Sequence, residues 1–237
     1  MPVRRPAPSP HASRQGHLNR DLILDGAFAL ITDEGPEALS MRRLGSRLGV
    51  EAMAIYHHFA SRDELLNAIG DRLLEPLQDL ELGDDWREAC RRFAAALRDL
   101  AVAQPAVFQL LGLQPFDTAR SLEPVERLLS VLVKRGFSPS TALAIYRATV
   151  SYARGYALAE ATGFTVDAAR PAGRRRLTAL RRSRFPILAG RADELAELDA
   201  DAAYEFGLHA LLSGFADPGA GARINRPDTR YHTRKRR

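Results

Sequence analysis

Apolar residues recur along this chain at helical spacing, in blocks parted by glycine, proline and capping residues, and no segment shows the alternation of period two that marks a strand. Ile23, Ala27, Leu30 and Ile31 share one face of a first helix, which Asn19 can cap and Gly35-Pro36 ends near Glu34. Leu44 and Leu48, four apart behind a capping Ser40, predict a short helix. Gly49 stands just after it, where a left-handed C-cap is wanted. A second short helix is expected over 51–59, with Ile55 and Phe59 inward. Ser61-Arg62-Asp63-Glu64 then has the serine and glutamate of a capping box. It opens a helix bearing Leu65, Leu66, Ile69, Leu73 and Leu77, with a kink or stop at Pro76.

Further along, Asp85 and Glu88 suggest another capping box and a helix through Gln104, striped by Phe93, Ala96, Leu97 and Leu100. Pro105 suits the first turn of a short helix with Val107, Phe108 and Leu111. A helix over 121–135 is closed by Gly136, and Ser138-Pro139 starts a long one that ends at Gly163. Residues 163–185, with the run Arg174-Arg175-Arg176, read as a long connection holding at most one helix. A short helix over 192–198 precedes a last one over 199–215. The prediction is an all-α chain without internal repeats: a basic arm over 1–18, a three-helix helix-turn-helix unit over 19–66, a helical domain over 67–216 and a basic tail over 217–237.

Charge sharpens this division. The net charge is +5, yet residues 1–20 hold four arginines and no acid, and residues 218–237 hold six arginines and Lys235 against Asp228. The two ends thus carry +4 and +6, and the chain between them −5. Both ends lack apolar periodicity and read as disordered. Such arms either hold DNA phosphates without sequence preference or serve as solubilising tails. The single cysteine, Cys90, excludes an intramolecular disulfide framework and suits a reducing compartment. No uncharged apolar run reaches membrane-spanning length, and the arginines near the N-terminus are followed by no apolar segment of a secretory signal, so a cytoplasmic protein without a membrane partner is expected.

Catalytic and metal chemistry find no support. There is no GxSxG, Walker, HExxH or GxGxxG pattern, and Asp33-Glu34 and Asp84-Asp85 are explained as helix-terminal partners. His57 and His58 are adjacent and so point about 100° apart on a helix, unsuited to one ion. A redox role for Cys90 would need an exposed thiol of low pKa, and a half-buried small side chain is the simpler reading. No cofactor is implied.

Helix, tight glycine turn and helix is the geometry that presents a second helix to the DNA major groove. In detail, Leu39-Ser40, Arg42, Leu44, Leu48-Gly49-Val50, Tyr56, His58-Phe59, Arg62 and Leu65-Leu66 resemble the DNA-binding region of the tetracycline-repressor (TetR/AcrR) family, with about ten positions agreeing at fixed spacing. Gly45 departs from the family's usual alanine and predicts a softer helix, since glycine costs roughly 0.5–1 kcal/mol there. Arg62 replaces a commoner lysine. The last helix, from Asp201 to Phe215, and the helix carrying Gly155-Tyr156 and Glu160 resemble the family's C-terminal domain.

The resemblance implies a homodimeric regulator binding a double-stranded DNA operator and released by a small-molecule effector. It assigns Tyr56 and His58 to phosphates and Ala52, Met53, Ala54 and His57 to base edges. Ser40, the helix cap, is also expected at the DNA, Arg42 is the candidate for a guanine, and Arg43, Arg47 and Arg62 are phosphate-positioning or solvated residues. The C-terminal domain is then expected to bind ligand and to dimerise. Pocket candidates are Phe93, Phe108, Leu111, Phe116, Arg147, Tyr152 and Tyr156. The dimer interface is expected at Ala142, Ile145, Thr149 and Ala153 on one helix, and at Ala203, Phe206, Gly207, Ala210, Leu211 and Gly214 on the other. Two rivals stand beside this reading: a constitutive DNA-binding regulator without a ligand, and an all-α enzyme or scaffold with a vestigial DNA-binding head.

Overall fold

A computed structural model describes residues 18–112, 118–164 and 169–218. Among these it holds eleven α-helices and no strand. The chain divides into two compact units, one formed by Met1–Leu73 with Ala106–Phe116, the other by Leu74–Pro105 with Asp117–Arg237. The basic ends fall outside the described residues, apart from Leu18 and residues 217–218.

The first unit contains α1 (Arg20–Glu34), α2 (Met41–Leu48), α3 (Ala52–Tyr56) and α4 (Arg62–Leu73). Asn19 caps α1 by accepting the Leu22 amide at 2.8 Å. Ile23, Ala27, Leu30 and Ile31 are buried with Leu44, Ile55, Phe59, Leu65 and Ile69, so the stripes read from the sequence meet in one core. The capping box at Ser61 forms: Ser61 Oγ accepts the Glu64 amide at 3.1 Å, and the Glu64 carboxylate returns to the Ala60 amide at 2.7 Å.

The second unit is built on α5 (Trp86–Ala103) and α8 (Pro139–Thr162), which pack along each other, with α7 (Ala119–Lys134) and α11 (Ala200–Ser213) against α8. The four-residue α6 (Pro105–Phe108) straddles the boundary between units, and α9 (Pro171–Thr178) pairs with α10 (Ala192–Ala196). Asp85 caps α5, but Glu88 turns to Arg92 at 2.9 Å instead of completing the predicted box. Helix α7 starts earlier than its sequence suggested, capped by Thr118, which places Pro124 inside it. Proline has no amide to offer the Arg120 carbonyl one turn back. Gln78 Nε2 donates to that carbonyl at 2.7 Å, so the lost helical bond is replaced from outside.

The α8 face expected to meet a second copy is core instead. Ala142, Ile145, Thr149 and Ala153 are all 0% exposed within the protomer, where their small or compact side chains let α8 approach α5, α7 and α11. Gly207 also serves the protomer. A Cβ there would lie 2.2 Å from the Tyr152 hydroxyl oxygen, so its absence lets that hydroxyl donate to the Tyr204 carbonyl at 2.8 Å. Of the other α11 positions, Phe206, Ala210 and Gly214 are exposed, whereas Ala203 and Leu211 are half-buried.

Candidate nucleic-acid interface

The turn between α2 and α3 is fixed by its backbone. Ser40 Oγ accepts the Arg43 amide at 3.2 Å, and Gly49 takes the left-handed conformation at φ 70°, which a side chain would strain. The Val50 amide then donates to the Gly45 carbonyl at 2.9 Å. Gly45 is more than a soft point in α2. A Cβ at this position would come within 2.8 Å of the Val50 carbonyl oxygen, so its bare backbone permits the close approach of the turn. Ile55 and Phe59 anchor α3 inward, and α3 itself ends at Tyr56, shorter than the 51–59 span expected. His57 and His58 continue as a turn whose amides donate to Met53 at 3.3 Å and Ile55 at 2.9 Å.

This anchoring turns the remaining side chains outward. Met53 and Tyr56 are 65% and 41% exposed, His57 is exposed, and Ala52, Ala54 and His58 are half-buried. Tyr56 therefore does not pack beneath the turn. The arginines separate into two groups. Arg43 pairs with Glu34 and Arg47 with Asp33, both at the C-terminal end of α1, while Arg20 pairs with Glu64 at 2.9 Å and lies 4.0 Å from the Phe59 ring centre. The Arg20 hydrogen bond, with the Ala60 amide, holds the Glu64 carboxyl below the usual carboxylate range. Among the described residues Arg62 reaches only the Leu39 carbonyl, at 3.5 Å. Arg42 is exposed and makes no ion pair among the described residues. The face offered for recognition is thus one free guanidinium on α2 beside a thioether, a phenol and an imidazole on and after α3, a set fit to touch base edges and phosphates in a groove.

The pocket candidates are distributed over both units. Phe93 is buried and meets Tyr146 edge-on, with ring centres 6.1 Å apart. Arg147 is exposed. Phe108 is buried in the first unit, Leu111 lies in the 3-10 turn after α6, and Phe116 lies outside the described residues. Tyr152 and Tyr156 do come together, in a cluster with Tyr204 and Phe164 whose ring centres stand 5.1–5.9 Å apart. Their hydroxyls donate within the fold, to the Tyr204 carbonyl and to the Ala200 carbonyl at 3.0 Å.

At the centre of the cluster is Arg98, a residue that sequence patterning did not single out. Its guanidinium bonds both oxygens of Glu160 at 2.7 and 2.6 Å and Asp201 at 2.7 Å, and lies 4.6 Å from the Tyr204 ring centre. One side chain on α5 thereby ties α8 to α11. The Tyr204 hydroxyl is buried without a hydrogen-bond partner among the described residues, and burial raises its pKa above the ordinary tyrosine range. An unsatisfied buried hydroxyl costs about 1–3 kcal/mol. Tyr204→Phe is therefore expected to stabilise the unit by about 1 kcal/mol, read as a higher urea midpoint at unchanged m-value; a loss of stability would show that the hydroxyl is satisfied.

Cys90 is fully buried beside Thr149, and desolvation pushes its pKa up to about 11. At pH 8 its thiolate fraction is then at least about a hundredfold below that of a free cysteine. A disulfide reagent should label the native protein far more slowly than the urea-unfolded chain, and equal rates would contradict the burial.

Comparison with known proteins agrees with this geometry. The family model described as "Bacterial regulatory proteins, tetR family" matches residues 23–69, and the one described as "Tetracyclin repressor-like, C-terminal domain" matches residues 80–217. An HTH-type transcriptional repressor of Mycobacterium tuberculosis is 30% identical over 212 residues, covering 84% of this chain and 80% of the relative. A possible TetR family transcriptional regulator of Streptomyces coelicolor A3(2) superposes with a TM-score of 0.69 at 28% identity, over 83% of this chain and 98% of that one. The TetR family protein ActR of Streptomyces coelicolor, solved in complex with (S)-DNPA, superposes with a TM-score of 0.64 at 25% identity, over 83% and 96% of the two chains.

Proposed function

Since the chain belongs to the tetracycline-repressor family of DNA-binding transcriptional regulators, we propose that it is a homodimeric repressor, released from a pseudopalindromic operator by a small molecule. The observation that carries the DNA-reading part is the face made by Arg42, Met53, Tyr56 and His57, outward while Ile55 and Phe59 hold α3 in place. A dimer would place two such faces in major grooves about 34–36 Å apart, or a multiple of that spacing. The relative named a repressor and the ActR complex with (S)-DNPA support repression and a small-molecule effector. The effector acts through its differential affinity for two conformations, one of which spoils the spacing of the reading faces.

With the small-residue face of α8 consumed in the core, the surface proposed for a second copy is the outer side of α8 and α11, where Leu158 is 41% and Phe206 77% exposed. Gly155 stands there with open space around it.

Selection of bound sequences from random DNA at physiological salt tests the reading. An enriched inverted repeat, shifted to a half-site or lost in a monomeric Phe206→Glu variant, is the expected result. Binding without any enriched sequence would overturn it. Weakening of operator binding by a compound that also stabilises the protein thermally is expected for the effector, and tight operator binding with no such compound would favour a constitutive regulator.

A further inference from the structure

Charge in this protein is arranged against its function as a DNA binder. The described part of the reading unit, residues 18–73, holds six arginines against nine acids, a net of −3. Four of those arginines, Arg20, Arg43, Arg47 and Arg72, are taken up in ion pairs with Glu64, Glu34, Asp33 and Asp25. The opposite holds in the α9–α10 lobe. Residues 170–191 hold eight arginines and no acid or lysine.

The lobe displays them on a fixed scaffold. Leu177 and Ala192 are buried in its small core, with Leu180, Leu188, Leu195 and Ala196 packed around them. The stretch between α9 and α10 is pinned by backbone bonds from Phe185 to Arg181 at 2.9 Å, Ala189 to Phe185 at 3.0 Å and Arg191 to Ile187 at 2.9 Å. Of the six acids over 192–205, four are paired: Asp193 with Arg174, Glu194 with Arg191 at 2.6 Å, Asp201 with Arg98 at 2.7 Å and Glu205 with Arg91 at 3.6 Å; Asp199 caps α11, and Glu197 has no ion pair among the described residues. Arg170 donates to the Glu160 carbonyl at 2.9 Å. Arg175, Arg176, Arg181, Arg182 and Arg184 remain, all exposed and without an ion pair among the described residues.

We propose that these five arginines form a second nucleic-acid contact, which holds the phosphate backbone of duplex DNA without reading its bases. Three observations choose this partner. The cations are all guanidinium groups, suited to bidentate phosphate contact. Among the lobe's described large apolar residues Ile187 alone stands exposed, at 61%, and one such residue makes no stripe to enter a lipid surface. Four of the six neighbouring acids are paired inside the protomer and Asp199 caps α11, which leaves only Glu197 nearby to attract the basic lobe of a second copy. With −3 on residues 18–73, and no net charge on the whole first unit once the arginines before residue 18 are added, the reading unit gains little from long-range attraction, and a basic lobe elsewhere on the chain supplies encounter and nonspecific affinity.

The test needs no operator, so it stands apart from the proposal above. Full-length protein and the variant R175Q/R176Q/R181Q/R182Q/R184Q are titrated with a duplex of random sequence over a range of salt concentrations. Removing one phosphate-bound cation flattens the plot of log affinity against log salt by about 0.9, so the variant's slope should fall by up to about 4.5 and its binding at low salt should be at least about tenfold weaker. The all-lysine counterpart should keep most of both. In the unaltered protein, random duplex should shield these arginines from phenylglyoxal, a readout independent of how the variants fold. Unchanged slope and no shielding would overturn the proposal. So would a variant that binds random duplex normally but no longer binds vesicles containing phosphatidylglycerol, or no longer self-associates.

Discussion

Replacing Arg98 by alanine is expected to destabilise the helical unit by about 3–5 kcal/mol, because removing one member of a sequestered ion pair leaves the other charge without compensation. The Arg98 and Glu160 side chains are only 15% and 18% exposed, and the pair is bidentate, so solvent and salt screen it little. Asp201, 80% exposed, is the weaker partner. Chemical denaturation should show the loss as a lower midpoint. The double variant Arg98→Met/Glu160→Gln should recover a large part of it, since it removes the stranded carboxylate. Arg92→Ala serves as the control. Its partner Glu88 is one turn away on an exposed helix face, and such a pair is worth only about 0.3–0.5 kcal/mol. If Arg98→Ala costs no more than Arg92→Ala, the cluster is a surface ornament and not the junction of α5, α8 and α11.

Arg42→Ala should weaken binding to the selected operator by about 1–3 kcal/mol, roughly 5- to 150-fold, and relax the preference at one base pair per half-site. The reason is its freedom: it is exposed and no acid among the described residues holds it. Arg43→Ala makes the contrast. Its guanidinium is shared with Glu34, so its loss should lower affinity evenly across sequences and reduce the salt slope by about 1 at most. Competition between the operator and single-base variants distinguishes the two. An Arg42→Ala protein with unaltered base preference would move Arg42 from base reading to phosphate positioning.

Much of the local structure was legible in the sequence because capping and turn chemistry are local. Asn19, Ser40, Ser61, Asp85 and Ser138 all accept the amide three residues on, as their identities suggested, and Asp199 does the same at α11. Thr118 was missed at α7 because Ser121 offered an equally good hydroxyl, and because the partner that excuses Pro124, Gln78, is remote in the chain. The recognition face was legible for the same local reason: two inward residues, Ile55 and Phe59, fix which side of α3 looks out.

What could not be read was which helix lies against which. Ala142, Ile145, Thr149 and Ala153 have the small-residue pattern of a helix contact, and they make one, but with α5, α7 and α11 of their own protomer. A pattern of side chains records that something comes close, not whether it belongs to the same chain. Arg98 escaped for a related reason. At the edge of an apolar stripe a charged residue looks solvated, and its partners at 160 and 201 come near only in the finished fold. Gly207, too, looked like an allowance for a neighbouring helix, and in fact admits a hydroxyl.

The small core of the α9–α10 lobe has a consequence for how the protein opens. Among its described apolar residues only Leu177, Ala189 and Ala192 are buried there, and the Leu177–Ala192 cluster is separate from the packing of α5 against α8. Few apolar contacts resist its release, so the lobe unfastens at a free-energy cost well below that of global unfolding, and its amides exchange with solvent first. Each opening lays bare a run of arginine peptide bonds, the preferred substrate of trypsin. Among the described residues the first cut then falls within the lobe, and the two pieces stay together, gripped by α8 between α5 and α11.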